Sequence, residues 1–170
     1  EVAQREPKVL GVEAKLGKGY YEKRDYPKAV AHLEIALKEN PQDGETTQLL
    51  GLSYYLVGQV PKAIPLLEKV QAWLPRPDVT GSYILGISYL QTNQSDKARA
   101  AFAKMFSVNP DSPGAHLVLG QMMLRQEFED QAVPELRRAL ELDPRLPMAH
   151  FLLGELYLFR SKVQLAIEEF

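Results

Sequence analysis

The stretch Leu50-Gly51-Leu52-Ser53-Tyr54 has a counterpart 35 residues further along the chain, Leu85-Gly86-Ile87-Ser88-Tyr89. The leucine–glycine pair that opens both stretches occurs three more times, at Leu16-Gly17, Leu119-Gly120 and Leu153-Gly154. The 170 residues therefore contain four copies of a unit of 34 or 35 residues and part of a fifth. A fixed period of this length indicates a repeat architecture, in which each unit is one supersecondary element stacked on its neighbours.

Leu50, Gly51 and Tyr54 share one face of a helix, so the glycine marks the place where a second helix comes closest. Two further rows, one of alanines and one of prolines, keep the same period. An alanine follows each glycine after 12 residues, with a large side chain four positions later on the same predicted second helix. A proline follows each of the first four alanines after another 12 residues and stops that helix. Each unit is therefore predicted to be a helical hairpin. The rows are Ala29, Ala63, Ala98, Ala132 and Ala166, then Pro41, Pro75, Pro110 and Pro144.

This pattern resembles the tetratricopeptide repeat, and its Ala-Leu-Glu-Leu-Asp-Pro type of ending resembles bacterial members of that family. The resemblance implies an all-α fold, a right-handed superhelical solenoid of antiparallel helix pairs. One extra residue falls in the loop between Pro75 and Asp78. After a lead-in of residues 1–9, the predicted repeats are 10–43, 44–77, 79–112, 113–146 and an incomplete 147–170, which together form one solenoid domain.

Other prolines refine the predicted helices. Asp25 is placed to cap the second helix of the first repeat, and Pro27 and Pro61 suit the first turn of a helix, where an amide lacks a partner anyway. Pro65 and Pro134 lie a turn further in. We expect a mild local distortion of the helix at both of these positions.

Composition and motifs offer no basis for catalysis. Twenty basic and twenty-two acidic residues leave little net charge to attract nucleic acid, and the chain has no cysteine and no apolar run long enough for a membrane span. Ser53 and Ser88 follow glycines but lack the second glycine of a nucleophile elbow. His116 and His150 occupy equivalent repeat positions, which indicates packing rather than metal binding. We predict no enzyme activity and no cofactor; an enzyme acting through these two histidines is a minor alternative that metal analysis would test.

The resemblance also implies where a partner binds, because the first helices of this family line a concave groove. The positions that would face it are mostly apolar in the middle repeats, with Tyr55, Tyr83 and Phe151 as an aromatic strip. The residues that clamp an acidic carboxyl terminus in chaperone-binding relatives are replaced here, for example by Leu49 and Ile84. The predicted function is a non-catalytic scaffold that binds a peptide or helix with apolar anchors. The predicted groove residues are Lys15, Lys18, Gln48, Leu52, Tyr55, Tyr83, Ile87, Leu117, Gln121, Phe151 and Glu155, with an acidic end of the partner expected near Lys15 and Lys18.

Two alternatives concern the parent protein. The array could be a structural or oligomerisation module of a longer protein whose activity lies in another domain. Phe170 falls inside the second helix of the fifth repeat, before a stop signal, so either the parent protein continues beyond this point or another copy covers this uncapped repeat in a homo-oligomer. No targeting segment is recognisable after Glu1, which leaves a cytoplasmic or a periplasmic or secreted location open.

Overall fold

Helices form the regular structure of the protein. The computed structural model describes residues 11–74 and 78–170, and in these ranges it contains α-helices and no strand, which confirms the all-α prediction. None of the described helices is long and apolar enough to cross a membrane. The helices are α1 (Val12–Glu22), α2 (Tyr26–Glu39), α3 (Gly44–Leu56), α4 (Val60–Trp73), α5 (Val79–Gln91), α6 (Ser95–Met105), α7 (Pro113–Arg125), α8 (Glu129–Leu142), α9 (Pro147–Phe159) and α10 (Val163–Glu169).

The helices group into two compact units, Glu1–Arg76 and Pro77–Phe170. In unit 1, α1 pairs with α2 and α3 with α4, and α2 packs on α3. In unit 2 the pairs are α5 with α6, α7 with α8 and α9 with α10, each packed on the next along the chain. Each pair lies within one of the predicted repeat ranges. Most of the loop with the extra residue, including Pro75, lies outside the described residues.

A close approach within each hairpin explains the row of glycines. A Cβ atom added to Gly17 would lie 2.5 Å from Cγ of Leu33, and one added to Gly86 would lie 2.5 Å from Cε1 of Phe102. Both distances are far below the 3.5–4.0 Å at which carbon atoms attract one another. The prediction that glycine marks the closest approach of the two helices is therefore confirmed. The same contact joins Gly51 to Leu67, Gly120 to Leu136 and Gly154 to Phe170, at 3.0, 2.7 and 2.7 Å.

The alanine row and two of the prolines also take their expected places. All five repeat alanines are fully buried, so the second helix has no room for a larger side chain there. Pro41 and Pro144 follow closely on the ends of α2 and α8, as predicted. Pro110 departs from the prediction: α6 already ends at Met105, and Ser107 adopts a left-handed φ of 55°, so the proline does not stop that helix. Asp25 caps α2 by accepting a hydrogen bond from the Lys28 amide.

The turn inside each hairpin has the same backbone conformation in all five repeats. Residue 58 is a glycine with φ of 78°, and the equivalent Glu127 adopts φ of 62° with a side chain. The next amide donates back to the first helix, as Phe128 N does to the Met123 carbonyl oxygen at 2.9 Å. This is the left-handed turn that closes many helices. The remaining residues of this row are Arg24, Asn93 and Ser161.

Two prolines lie inside second helices without ending them. α4 continues past Pro65 to Trp73, and α8 continues past Pro134 to Leu142. Neither proline can donate the backbone hydrogen bond that a helix interior normally makes. The local distortion expected at these positions stays a prediction.

Gly17→Ala and Gly19→Ala form a matched pair in α1, because each adds one methyl group to the same helix. At Gly17 the methyl group would collide with Leu33, whose backbone nitrogen lies only 3.2 Å away, whereas the space around Gly19 is open. We expect Gly17→Ala to lower the free energy of unfolding by about 1–3 kcal/mol. Gly19→Ala is expected to raise it by about 0.5–1 kcal/mol, because alanine favours the helix. Urea denaturation followed by circular dichroism measures both values.

The gain in helix propensity is the same for both substitutions. The difference between their changes in the free energy of unfolding therefore isolates the effect of the contact between α1 and α2. Equal effects of the two substitutions would show that the approach of α2 does not constrain residue 17.

Candidate protein-binding site

The positions predicted to face the groove lie on the first helix of each hairpin, and we call them the first-helix row. In unit 1 this row begins on α1 with Lys15 and Lys18. Both side chains are exposed, but Lys18 Nζ lies 2.7 Å from Glu45 Oε1. This hydrogen bond, together with the charge of Glu45, raises the pKa of the Lys18 amine. No described carboxylate pairs with Lys15. Of the two cations predicted to receive an acidic group, Lys15 is therefore the one whose charge is not already paired within the described part of unit 1.

The same row continues on α3 with side chains that are only partly exposed. Gln48, Leu52 and Tyr55 each keep part of their surface accessible, and Leu56 at the end of the helix is 45% exposed. α3 packs on both α2 and α4, so its outward side is narrow. The row in unit 1 is thus a strip of modest apolar area that leads from Lys15 towards Leu56.

In unit 2 the row carries two exposed aromatic side chains in equivalent positions. Tyr83 on α5 is 36% exposed, and Phe151 on α9 is 46% exposed. We call the space left by the missing Cβ of each repeat glycine the glycine notch, and an aromatic side chain fills it in these two hairpins. Tyr83 packs against the filling residue Phe102, with ring centroids 6.3 Å apart, and Phe151 packs against the filling residue Phe170, with centroids 6.4 Å apart. This packing fixes the two exposed rings before any partner arrives.

The prediction for Ile87 is corrected by the structure. Its side chain is 1% exposed and belongs to the core, as does Leu90 one turn later. The neighbouring Ser88 and Tyr89 are buried as well, so this part of α5 is enclosed on more than one face. An isoleucine is equally compatible with a core and with an apolar groove, which is why sequence alone misplaced it.

A cleft between α7 and α9 forms the best-defined part of the row. Leu117 and Gln121 lie partly exposed on α7. Beyond them the cleft, of about 220 Å³, has an apolar wall that ends in Phe159, which is 78% exposed. The exposed Glu155 also lines it, and no described cation pairs with this carboxylate. The residues lining the cleft are Leu124, Glu129, Leu152, Glu155, Leu156 and Phe159.

Each of the three histidines makes the same kind of hydrogen-bonded pair with a glutamate. In each case histidine Nδ1 lies 2.7 Å from a glutamate Oε2, and the two residues are 19 positions apart in the sequence. The pair joins the two helices of one hairpin, with its order reversed in the first repeat. Among the described residues no group of three or more potential ligands is arranged to hold a metal ion. The pairs are Glu13–His32, His116–Glu135 and His150–Glu169.

These features define a helical-repeat protein built from stacked hairpins within each unit. A family profile described as tetratricopeptide repeat matches residues 14–74, 83–127 and 124–170. The chain belongs to the tetratricopeptide repeat family, whose fold is that of a protein-interaction scaffold.

Solved structures agree with this assignment. The chain is 25% identical to MamA in the structure designated MSR-1 C2, covering 93% of this chain and 90% of that one, with a TM-score of 0.57. It is 26% identical to TTC0263, a thermophilic tetratricopeptide repeat protein in Thermus thermophilus, covering 95% and 88% with a TM-score of 0.52. No curated protein sequence matches the chain.

The ion pair in the last hairpin predicts a dependence on pH. The hydrogen bond that the His150 ring donates to the Glu169 carboxylate, with a second one to the Pro144 carbonyl, raises the pKa of His150. Folding thus favours the protonated imidazole, so the pair contributes stability that is fully present below the unfolded pKa of about 6.5. That contribution is lost as the pH rises through the higher folded pKa. An NMR titration of the His150 ring should give a pKa above 6.5, and Glu169→Gln should bring it down; a pKa that is the same in both proteins would contradict the assigned pair.

Proposed function

We propose that the chain is a non-catalytic scaffold that binds a segment of another protein along its first-helix rows, through large apolar side chains flanked by single charges. The observation that carries this proposal is the cleft between α7 and α9, where an apolar wall ends in the highly exposed Phe159. Monomeric proteins seldom leave several large apolar side chains exposed side by side unless a partner covers them.

The exposed aromatic side chains supply enough surface for anchoring. Burying one aromatic side chain fully is worth about 1.5–3 kcal/mol, and a few such anchors dominate most protein interfaces. In unit 2, Tyr83, Phe151 and Phe159 are the exposed aromatic residues of the row. Because the first two rings are already held by Phe102 and Phe170, little conformational entropy is lost when a partner binds them.

Single charges give each row a preferred chemistry. In unit 1 Lys15, with which no described carboxylate pairs, favours an acidic group on the partner, as the sequence predicted. In unit 2 the carboxylate of Glu155, at the edge of an apolar cleft, favours a lysine or arginine next to an apolar anchor. The predicted contact residues, without Ile87, are retained as a proposed contact set in each unit: Lys15, Lys18, Gln48, Leu52 and Tyr55 in unit 1, and Tyr83, Leu117, Gln121, Phe151 and Glu155 in unit 2.

A second candidate function, as an oligomerisation module, rests on a different surface. Val163, Ile167 and Phe170 are 55%, 62% and 68% exposed in the last hairpin. An apolar face of this kind can be covered by the same face of a second copy around a twofold axis. Sedimentation velocity over a wide concentration range tests this: a concentration-dependent rise in sedimentation coefficient supports self-association, and a constant monomer value opposes it.

Site-specific photo-crosslinking tests the proposed function directly. A benzoylphenylalanine placed at Phe159, in the first-helix row, should crosslink to a partner protein in extracts of the source cells. The same group at Lys104, on α6, serves as the control because it is also exposed but lies outside both the row and the apolar face of the last hairpin. Adding Tyr83→Glu and Phe151→Glu should reduce the crosslink at Phe159 by about tenfold or more, because both changes place a charge where an apolar anchor binds.

Circular dichroism must show the same helix content for the substituted protein, since both residues are partly exposed and neither belongs to the core. A crosslink at Lys104 as strong as that at Phe159, or one at Phe159 that survives both substitutions, would remove the first-helix row as the binding surface.

A further inference from the structure

A second binding site lies on the other helices of unit 1, and we propose that it binds a protein segment in which an aliphatic anchor stands next to an acidic residue. The site is a cleft of about 800 Å³ between α2 and α4, with α3 as its floor. We call it the α2–α4 cleft. It uses none of the residues in the first-helix rows.

The floor and walls of the cleft are apolar. Leu50 and Tyr54 of α3 form the floor and are 3% and 7% exposed. Leu37 of α2 and Leu66 of α4 line the walls and are partly exposed. Burial, together with the hydrogen bond that the Tyr54 hydroxyl donates to Glu34, raises the pKa of Tyr54 to about 12 and keeps the phenol neutral. The floor therefore offers no free charge to a ligand.

Two prolines on the α4 wall leave a backbone acceptor without its helical partner. In a regular helix the carbonyl of Pro61 would accept the amide of residue 65, but Pro65 has no N–H. Both prolines line the cleft. Pro134 has the same effect on α8, but there the residue equivalent to Pro61 is Asp130, whose charge would repel an acidic ligand. A backbone N–H from a bound segment can satisfy the Pro61 carbonyl.

The charges at the rim favour an acidic ligand. Lys38 and Lys62 line the cleft and are exposed, and no described carboxylate forms an ion pair with either of them. Lys62 Nζ lies 5.2 Å from the centre of the Tyr54 ring, which holds this cation over the floor. Glu34, the only carboxylate among the described lining residues, accepts the Tyr54 hydrogen bond and keeps its negative charge. The lining therefore carries two positive charges against one negative charge, around an apolar trough.

The shape of the cleft favours a polypeptide over a small molecule. Small-molecule sites enclose most of the ligand surface, whereas this cleft is open along one side between two helices. A chain that runs along the trough can place an aliphatic side chain on Leu50, give an N–H to the Pro61 carbonyl and set a carboxylate beside Lys62. These three contacts require a backbone donor, an apolar group and an acid in one ligand, which a peptide segment provides.

A displayed library of random dodecapeptides tests this inference on the full 170-residue chain. The library is first depleted on the Lys38→Glu, Lys62→Glu double variant, and the remaining phage are selected on the unaltered protein. We expect the selected peptides to share an aliphatic residue next to aspartate or glutamate. A synthetic consensus peptide is then measured by isothermal titration calorimetry against a set of variants.

The double variant should bind this peptide at least about tenfold more weakly, while Lys23→Glu, an exposed charge reversal outside the cleft, should bind it normally.

Pro65→Ala restores a donor to the Pro61 carbonyl inside the helix, so it should raise thermal stability and weaken the binding of the peptide about fivefold. Its gain in stability shows that the weaker binding does not come from misfolding. The proposal would be overturned if the selected peptides lacked acidic residues, or if no selected peptide depended on the two lysines. It would also be overturned if the lysine double variant and Pro65→Ala both bound the peptide with undiminished affinity.

Discussion

Five times along this chain, a side chain from a second helix occupies the volume that a Cβ atom would take on the first helix. Leucine or phenylalanine fills that notch, and the contact is so close that only glycine fits opposite it. Because two helices can approach this closely only at one relative position, the notch sets the register of each hairpin. The buried alanine four positions earlier and the left-handed turn between the helices then have to recur in step, and they do. Stacking of successive hairpins follows from the same repeated geometry.

Since the notch and its neighbours take up the inward positions, the outward positions are free to differ from repeat to repeat. The first-helix rows carry exposed aromatic residues in unit 2 and lysines in unit 1, while the α2–α4 cleft combines a proline pair with two rim lysines in a single unit. The residues that fill the notch in two repeats, Phe102 and Phe170, also pack against Tyr83 and Phe151, which are two of the proposed anchors. One packing device thus supports both the fold and the proposed anchors.

The sequence was sufficient for the fold wherever the residue type is itself the constraint. The rows of glycine, alanine and proline are visible in the amino-acid sequence, because no other residue type meets the steric demand at those repeat positions. The hairpin turns could not be predicted in this way. Only the turn at Gly58 has a residue type that favours a left-handed conformation, and the other four turns adopt it at Arg24, Asn93, Glu127 and Ser161. The histidine–glutamate pairs are visible as a spacing of 19 residues, but only after the hairpin shows which positions face each other. The surface was the least predictable part: Ile87 has the same hydrophobicity whether it packs inside or lines a groove, and the structure buries it.

The most direct measurement of the central claim is a double-mutant cycle between Gly86 and Phe102. The account predicts that Gly86→Ala is strongly destabilising when Phe102 is present and nearly neutral or stabilising in the Phe102→Ala background, because the added methyl group then has no ring to collide with. The interaction energy should be about 1 kcal/mol or more. Additive effects, within about 0.3–0.5 kcal/mol, would show that the glycine is not there to admit the facing side chain, and would contradict the account of how each hairpin is built.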